Sequence, residues 1–247
     1  MIITPEKYDA VLFDLDGVLT MTMKIHATCW KRMFDSYLLE RSERLGETFY
    51  PFDVAADYKP YVDGKLRCDG VRAFLASRGV SLAEGCPDDD PSMETVCGLG
   101  NRKDRMVHEA IATQGVEVLE GSLAVVREVR AAGLKTAVVS ASKNCEMVLD
   151  AAGIKNLFDI IVDGKVAARL GLPGKPAPDT FLEAARELGV ETQRSVVVED
   201  AISGVQAGRA GGFGLVIGID HHKDKKALQC NGADIVVEDL KEILLMA

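Results

Sequence analysis

Residues 10–20, AVLFDLDGVLT, decide which fold this chain can adopt. They begin as an uninterrupted apolar run, which is typical of a parallel strand buried on both faces. The run ends in Asp14 and Asp16, whose side chains point to one side if strand geometry continues. Because buried, unpaired carboxylates are costly, this pair indicates a bound cation, with one acid attacking and the other handling protons. A strand followed by an acidic turn is the alternative, and the residues downstream must decide between the two.

The composition of the 247-residue chain is ordinary for a soluble globular enzyme. Its length allows one large domain, or a medium one with a smaller insertion. A formal net charge of -9 argues against non-specific nucleic-acid binding and against attachment to an anionic membrane. The six cysteines have neither the spacing of a disulfide framework nor that of a zinc site, so reduced thiols are expected. No signal-peptide pattern and no apolar run of about 18 residues occur, and a cytoplasmic location is predicted.

The order of predicted elements divides the chain into an α/β core and a helical insertion. No strand pattern occurs between residues 22 and 117, where helical spacing dominates. Within this block, prolines and a glycine predict an irregular segment at 48–67. Farther along, strands alternate with helices of about 10–12 residues, which implies right-handed crossovers and a parallel sheet covered on both faces. We therefore predict a Rossmann-like parallel sheet core, residues 1–21 and 118–247, with an all-helical cap domain inserted at 22–117.

Polar side chains stand where the predicted strands end, or in a loop on the same side. They are Asp14, Asp16, Ser140, Lys175, Glu199 and Asp200. Because open parallel sheets bind ligands beyond the carboxyl ends of their strands, we expect these side chains to converge. Four carboxylates, a hydroxyl and an ammonium describe a Mg²⁺ site with a phosphate pocket. Taken singly, Ser140 could cap a helix, Lys175 could lie on the surface, and Glu199-Asp200 could begin a helix. All of them falling in this order by chance is improbable.

The ordered motifs resemble those of the haloacid dehalogenase superfamily. They are Asp14-x-Asp16-Gly-Val, a strand ending in Ser140, the loop Lys175-Pro-Ala-Pro-Asp and the pair Glu199-Asp200. Within the superfamily the chain is most similar to the beta-phosphoglucomutase-like subfamily. That likeness rests on Thr22, His26 and Trp30, on Arg67-x-Asp69, on Arg102-Lys103, and on Ser140-Ala141-Ser142-Lys143-Asn144. Met21 and Ala201 depart from the pattern, which commonly has Asp and Ser there, and the cap is longer than usual.

The resemblance implies a Mg²⁺-dependent phosphoryl transfer. Asp14 would attack and become an aspartyl-phosphate, while Asp16 would donate and accept protons. The Mg²⁺ ion would be held by Asp14, by the backbone carbonyl of Asp16 and by the pair Glu199-Asp200. The substrates would be glucose phosphates, with beta-glucose 1-phosphate and glucose 6-phosphate interconverting through a 1,6-bisphosphate. A sugar-phosphate phosphatase, losing the phosphoryl group to water, is the alternative. A catalytically weak binding protein would be expected to have lost Asp14 or Asp16.

The remaining site residues come from the same resemblance. Residues with catalytic roles would include Thr22 and His26, and the substrate-binding set would be Arg67, Lys103, Ser140, Ala141, Ser142, Lys143, Asn144 and Lys175. Arg67 would grip a distal phosphate. The plainer alternatives are an exposed loop arginine at Arg67, a solvated helix lysine at Lys103 and a core histidine at His26. His221 and His222 are predicted to lie on the surface. We expect a monomer or weak dimer without nucleic-acid or membrane partners, functionally linked to a disaccharide phosphorylase.

Overall fold

The computed structural model describes residues 2–221 and 223–245. The chain divides into two compact units, one formed by Met1–Met21 with Val116–Ala247 and the other by Thr22–Gly115. The first unit is an α/β unit and the second is helical. The predicted fold class, a parallel α/β core with an inserted helical domain, is confirmed. Among the described residues, no helix has the length and apolar character needed to cross a membrane.

The helical unit packs around a cluster of aromatic rings. Its helices are α1 Met23–Leu45, α2 Val54–Tyr61, α3 Arg67–Ser77 and α4 Val96–Gln114. Trp30 stacks on Phe34 with ring centroids 5.2 Å apart, and Phe34 lies 4.2 Å from Phe74. Such aromatic pairs add about 0.5–1.5 kcal/mol beyond the apolar area that they bury. Trp30 and Phe34, four residues apart along α1, therefore lie on the face of this helix that enters the cluster.

The prediction of an irregular segment at residues 48–67 is wrong in its middle, because α2 occupies part of it. The Asp53 carboxylate accepts hydrogen bonds from the N–H groups of Ala55 and Ala56 at 2.8 and 3.0 Å, and so caps the helix. Pro60 lies one residue before the end of α2, where its missing N–H removes one hydrogen bond near the end of the helix. The capping aspartate thus outweighs the proline that suggested a break.

A six-stranded parallel sheet forms the centre of the α/β unit. Its strands are β1 Ala10–Phe13, β2 Lys135–Val139, β3 Ile160–Val162, β4 Ser195–Glu199, β5 Leu215–Ile219 and β6 Ile235–Val237. The strand order is β3-β2-β1-β4-β5-β6, which puts β1 in the middle. Phe13 is level with Val138 of β2 and with Val198 of β4. The residues that follow these three strands therefore lie side by side at the carboxyl edge of the sheet.

Helices cover the sheet and fix the loops at its carboxyl edge. They are α5 Glu120–Ala131, α6 Cys145–Ala151, α7 Gly164–Leu170, α8 Asp179–Leu188, α9 Ile202–Ala210 and α10 Lys225–Cys230. Phe181 and Leu188 of α8 belong to one buried apolar cluster with Leu12 of β1. The segment between β3 and α8 contains α7. The Asp163 carboxylate caps this helix by accepting from two backbone N–H groups at 2.9 Å.

Candidate active site

Asp14 directly follows β1 and lies in a buried, charged cluster. Its backbone N–H donates to the Val198 carbonyl at 2.9 Å, and its carboxylate accepts from the Lys175 ammonium at 2.5 Å. Burial raises the pKa of Asp14 to about 8, against the lowering effect of Lys175 and with further raising by Glu199 and Asp16. Additional positive charge at this point would therefore favour the ionised carboxylate that a nucleophile needs.

Lys175 compensates two of the buried carboxylates at once. Its Nζ lies 2.5 Å from Asp14 Oδ1 and 2.5 Å from Glu199 Oε1, and it donates to the Val139 carbonyl at 3.0 Å. The Phe181 ring centroid lies 4.9 Å from the same Nζ. Burial by itself lowers the pKa of Lys175, but Asp14 and Glu199 outweigh it and raise the pKa above its usual value. The structure thus places a charged ammonium, rather than a surface lysine, beside Asp14.

Glu199 and Asp200 bring two more carboxylates to Asp14. Glu199 ends β4, and its Oε2 accepts from the N–H groups of Asp200 and Ala201 at 3.1 and 3.2 Å. Ligand oxygens of Asp14, Glu199 and Asp200 all lie within 4.8 Å of one another. Mg²⁺ prefers oxygen ligands of this kind. The neighbouring negative charges also raise the pKa of Asp14, and a divalent cation would offset their repulsion. The three carboxylates therefore fit such an ion.

Two glycines leave room for the carboxylate cluster. Gly17 has a φ of +88°, and a Cβ added there would lie 2.0 Å from Asp200 Oδ2. A Cβ added to Gly204, on α9, would lie 1.9 Å from the carboxyl carbon of Glu199. Both distances are far shorter than any that a real Cβ atom shows to a neighbouring atom. The two carboxylates therefore occupy the space that a side chain at Gly17 or Gly204 would need. Sequence reasoning included Gly17 in its first motif but missed the role of Gly204.

We expect Gly204→Ala to weaken Mg²⁺ binding by about 10–100-fold, the range found when groups that orient metal ligands are changed. The added methyl would occupy the space of the Glu199 carboxylate and displace it. Isothermal titration with Mg²⁺ measures the affinity, and circular dichroism without the ion shows whether the fold is intact. A folded Gly204→Ala protein that binds Mg²⁺ as tightly as the wild type would contradict the expectation that Glu199 is a Mg²⁺ ligand.

Residues 140–144 form a fixed loop between β2 and α6. Ser140 is buried, and its Oγ accepts from the Ser142 N–H at 3.1 Å. The Ser142 Oγ accepts in turn from the Asn144 N–H at 3.1 Å. Because these hydroxyl groups accept from the N–H groups of Ser142 and Asn144, the loop continues through Asn144 and α6 begins at Cys145. Ala141 and Lys143 lie in the same loop, one strand away from β1.

The helical unit brings two of its predicted site residues together. His26 Nδ1 and Lys103 Nζ lie 2.6 Å apart, and both side chains are buried. An ammonium at Lys103 can only donate in this contact, with Nδ1 of His26 as the acceptor. The Lys103 Nζ also lies 4.9 Å from the Trp30 ring. The alternative of a solvated helix lysine at Lys103 is therefore wrong. Thr22 is buried just before α1, and its carbonyl accepts from the His26 N–H at 3.0 Å.

Arg67 begins α3 and is held by two residues of α4. Its Nη1 lies 2.7 Å from Asp104 Oδ1, and its Nη2 donates to Asn101 Oδ1 at 2.9 Å. The side chain is 14% exposed, so the alternative of an exposed loop arginine is wrong. Gly100 allows the close approach, since a Cβ there would lie 3.3 Å from the Arg67 side chain. The guanidinium is consequently held in a fixed orientation within the helical unit.

The prediction that His221 is a surface residue is wrong. It is partly buried, and its Nε2 lies 2.6 Å from the carbonyl oxygen of Gly17. Because a carbonyl accepts, Nε2 carries the proton and donates. This hydrogen bond joins His221, two residues after the end of β5, to the loop that contains Asp16 and Gly17. The one sequence signal for this role is position, since His221 follows a strand of the parallel sheet at its carboxyl edge. His222 lies outside the described residues.

Comparisons with known proteins agree with this arrangement. Residues 8–212 match the haloacid dehalogenase-like hydrolase family. The chain is 51% identical over 243 residues to a beta-phosphoglucomutase of Mycobacterium bovis, with 97% of this chain and 93% of that protein covered. It is 38% identical over 236 residues to an uncharacterized glycosyl hydrolase of Mycobacterium tuberculosis, covering 96% of this chain and 17% of that protein. A beta-phosphoglucomutase structure from Clostridium difficile shares the fold, with a TM-score of 0.75, 24% identity, and coverage of 96% and 93%.

The chain therefore belongs to the haloacid dehalogenase-like hydrolase family, the class that its parallel sheet and carboxylate cluster define. Within that family it is an enzyme of the beta-phosphoglucomutase-like subfamily, a phosphotransferase or isomerase that acts in sugar-phosphate phosphoryl transfer.

Proposed function

We propose that this enzyme interconverts beta-glucose 1-phosphate and glucose 6-phosphate through a 1,6-bisphosphate. The observation that carries the proposal is the 51% identity to a beta-phosphoglucomutase across 97% of the chain. Because the alignment covers so much of the chain, the likeness includes most of the helical unit as well as the sheet and its carboxylates. The cluster of Asp14, Lys175 and Glu199 supports the same chemistry, since carboxylates suit a cation and an ammonium suits a phosphoryl oxygen.

Asp14 is the nucleophile in the proposed mechanism, and Asp16 is the acid and base. A carboxylate oxygen of Asp14 bonds to a phosphorus of the bisphosphate, and the bond from that phosphorus to the sugar oxygen breaks. Asp16 gives its proton to the departing sugar oxygen. Loss of the 1-phosphoryl group turns the bisphosphate into glucose 6-phosphate, which leaves. The 6-hydroxyl of an incoming beta-glucose 1-phosphate then attacks the aspartyl-phosphate, and Asp16 takes the proton of that hydroxyl. Asp14 is free again, the 1,6-bisphosphate is regenerated, and one beta-glucose 1-phosphate has become glucose 6-phosphate.

The proposed Mg²⁺ site consists of Asp14, Glu199 and Asp200 with the backbone carbonyl of Asp16. When bound, this ion supplies positive charge to the phosphoryl oxygens and to the Asp14 carboxylate. The Lys175 ammonium, whose three donors meet Asp14, Glu199 and the Val139 carbonyl, is proposed to exchange one of these partners for a phosphoryl oxygen when substrate binds. The other proposed phosphate ligands are Ser140, Ser142, Lys143, Asn144 and the N–H of Ala141.

In the helical unit, Arg67 is the proposed ligand of the distal phosphate. Its Nε is buried and has no hydrogen-bond partner among the described residues. A guanidinium can give a phosphate two parallel hydrogen bonds. His26 is proposed to orient Asp16 or a sugar hydroxyl, with Thr22 beside it. Lys103 would add positive charge near the transferring group.

A link to disaccharide-cleaving phosphorylases is also proposed, because phosphorolysis of a disaccharide would supply a glucose 1-phosphate. The match of 96% of this chain to 17% of a longer protein named a glycosyl hydrolase supports it, since the two kinds of sequence then occur in one polypeptide. A coupled assay with a disaccharide, phosphate and a phosphorylase that makes beta-glucose 1-phosphate would test whether glucose 6-phosphate accumulates.

A paired assay tests the proposed reaction. Beta-glucose 1-phosphate, Mg²⁺ and a trace of glucose 1,6-bisphosphate are supplied, and glucose 6-phosphate and free phosphate are followed in one sample. Rapid formation of glucose 6-phosphate with little free phosphate is expected. Release of phosphate without glucose 6-phosphate would instead show that the enzyme is a sugar-phosphate phosphatase. The proposed roles of Arg67, Lys103 and His26 would then be wrong.

We expect His221→Ala to lower kcat by about 10- to 100-fold, because a displaced Gly17 carbonyl would shift the adjacent Asp16. His221→Gln should recover much of the activity, since its amide nitrogen can replace the Nε2 donor. His221→Asn is the matched control, because its shorter side chain places the amide nitrogen nearer the position of Nδ1. Steady-state kinetics of the three variants gives the comparison. Equal kcat values for the Gln and Asn variants would contradict the role of the hydrogen bond.

A further inference from the structure

The helical unit carries two thiols and a carboxylate within reach of one another. Cys68 lies in the first turn of α3, Cys97 in the first turn of α4, and Glu84 in the segment between these helices. The two sulfur atoms and a Glu84 oxygen all lie within 4.8 Å of one another. Cys97 is 7% exposed, Cys68 is partly buried and Glu84 is exposed, so the group is open to solvent on the Glu84 side. The residues are far apart in sequence, which is why cysteine spacing did not reveal them.

We propose that Cys68, Glu84 and Cys97 bind a thiophilic divalent cation of the Zn²⁺ class. Zn²⁺ accepts thiolate and carboxylate ligands in tetrahedral geometry, and three protein ligands leave the fourth position to water. Two thiolates on one Zn²⁺ ion lie about 3.8 Å apart, as follows from Zn–S bonds of about 2.3 Å. The observed separations therefore need to contract by about 1 Å at most. Mg²⁺ is a poor match, since it prefers oxygen ligands alone.

Neighbouring groups already orient the carboxylate of Glu84. The Arg72 Nε and Nη2 each donate to one of its oxygens at 3.0 Å, and this pairing lowers the pKa of Glu84. A carboxylate has about four lone-pair positions, so two remain for a cation. The Glu84 carbonyl accepts from the Cys97 N–H at 3.0 Å, which fixes the two residues relative to each other. Such outer contacts are the usual support of a metal ligand.

A cation at this group would join the first turns of α3 and α4. These two helices also hold Arg67, which precedes Cys68 and contacts Asn101 and Asp104 of α4. Occupancy would therefore stiffen the part of the helical unit that orients Arg67. This consequence rests on the proposed role of Arg67, whereas the binding of the cation itself does not.

Titration with Cd²⁺ tests the site directly. The full chain is reduced with a phosphine, freed of metal and titrated, while the ultraviolet thiolate-to-cadmium charge-transfer band is recorded. One equivalent should bind with this band, and Cys68→Ser and Cys97→Ser should each lose most of it. Cys230→Ser is the matched control, since Cys230 is exposed and lies outside the group. Binding at Asp14, Glu199 and Asp200 gives no such band, because those ligands are carboxylates.

If a cysteine variant folds poorly, thermal unfolding of the wild type and cadmium binding by Glu84→Gln still test the site, because both proteins retain the two thiols. At a concentration about 100 times Kd, Zn²⁺ should raise the Tm of the wild type by about 5 °C or more. In Glu84→Gln, whose thiols are intact, the charge-transfer band should persist with an affinity about tenfold lower. Absence of the band in reduced wild-type protein at saturating Cd²⁺ would overturn the proposal. An undiminished band in a Cys68→Ser, Cys97→Ser double variant would overturn it equally.

Discussion

Replacing Asp14 by asparagine is expected to reduce turnover by about 10⁴-fold or more, the scale of loss found when a catalytic nucleophile is removed. The amide has nearly the shape of the carboxylate but cannot form an aspartyl-phosphate. The fold should survive the change. Because burial raises the pKa of Asp14 to about 8, the site tolerates a neutral side chain at this position, and Lys175 keeps Glu199 as its partner.

Transfer of radiolabelled phosphate from glucose 1,6-bisphosphate to the protein separates this effect from loss of binding. The wild type should retain label on the polypeptide after rapid quenching, and Asp14→Asn should retain none. Asp150→Asn is the matched control, since Asp150 is exposed and pairs only with Lys155 among the ion pairs of the described residues. Label retained by Asp14→Asn would show that another residue is the nucleophile, even though the family assignment would stand.

The residues around Asp14 could be predicted from sequence because parallel strands bring distant segments to one edge. Asp14 and Glu199 each end a recognisable strand, and the pairing of β1 with β4 sets them side by side. Lys175 could be predicted near these carboxylates because its loop lies on the same side of the sheet as the strand ends. Its contact with both carboxylates follows from the three-dimensional path of that loop, and no spacing along the chain encodes it.

Other features depend on contacts that sequence patterns do not carry. Gly204 looks like an ordinary small helical residue, and only the position of the Glu199 side chain explains it. His221 precedes a charged stretch, residues 223–226, that is typical of a surface loop, yet one hydrogen bond joins it to Gly17. The helix α2 was not predicted because Pro60 indicates a break, whereas the capping hydrogen bonds of Asp53 stabilise the helix. In each case a single tertiary or capping contact overrode a local preference.

Lys175→Met is expected to lower the free energy of unfolding by about 3–5 kcal/mol when no divalent cation is present. Methionine fills a similar apolar volume against Phe181, but it leaves the buried carboxylates of Asp14 and Glu199 without a counter-charge. The repulsion between these groups should also raise the pKa of Asp14 further. Turnover should fall by about 10²–10³-fold, as is usual when a group that stabilises transition-state charge is removed.

Urea unfolding with and without Mg²⁺ measures this effect and its cause together. Added Mg²⁺ should restore more stability to Lys175→Met than it gives the wild type, because the ion replaces the missing positive charge between the carboxylates. Lys155→Met is the matched control, since Lys155 is partly exposed and its ion pairs with Glu146 and Asp150 lie at the surface, where their loss should not shift the midpoint measurably. If Mg²⁺ stabilises both lysine variants equally, the ammonium of Lys175 does not compensate the carboxylates that the ion would bind, and the proposed Mg²⁺ site must be placed elsewhere.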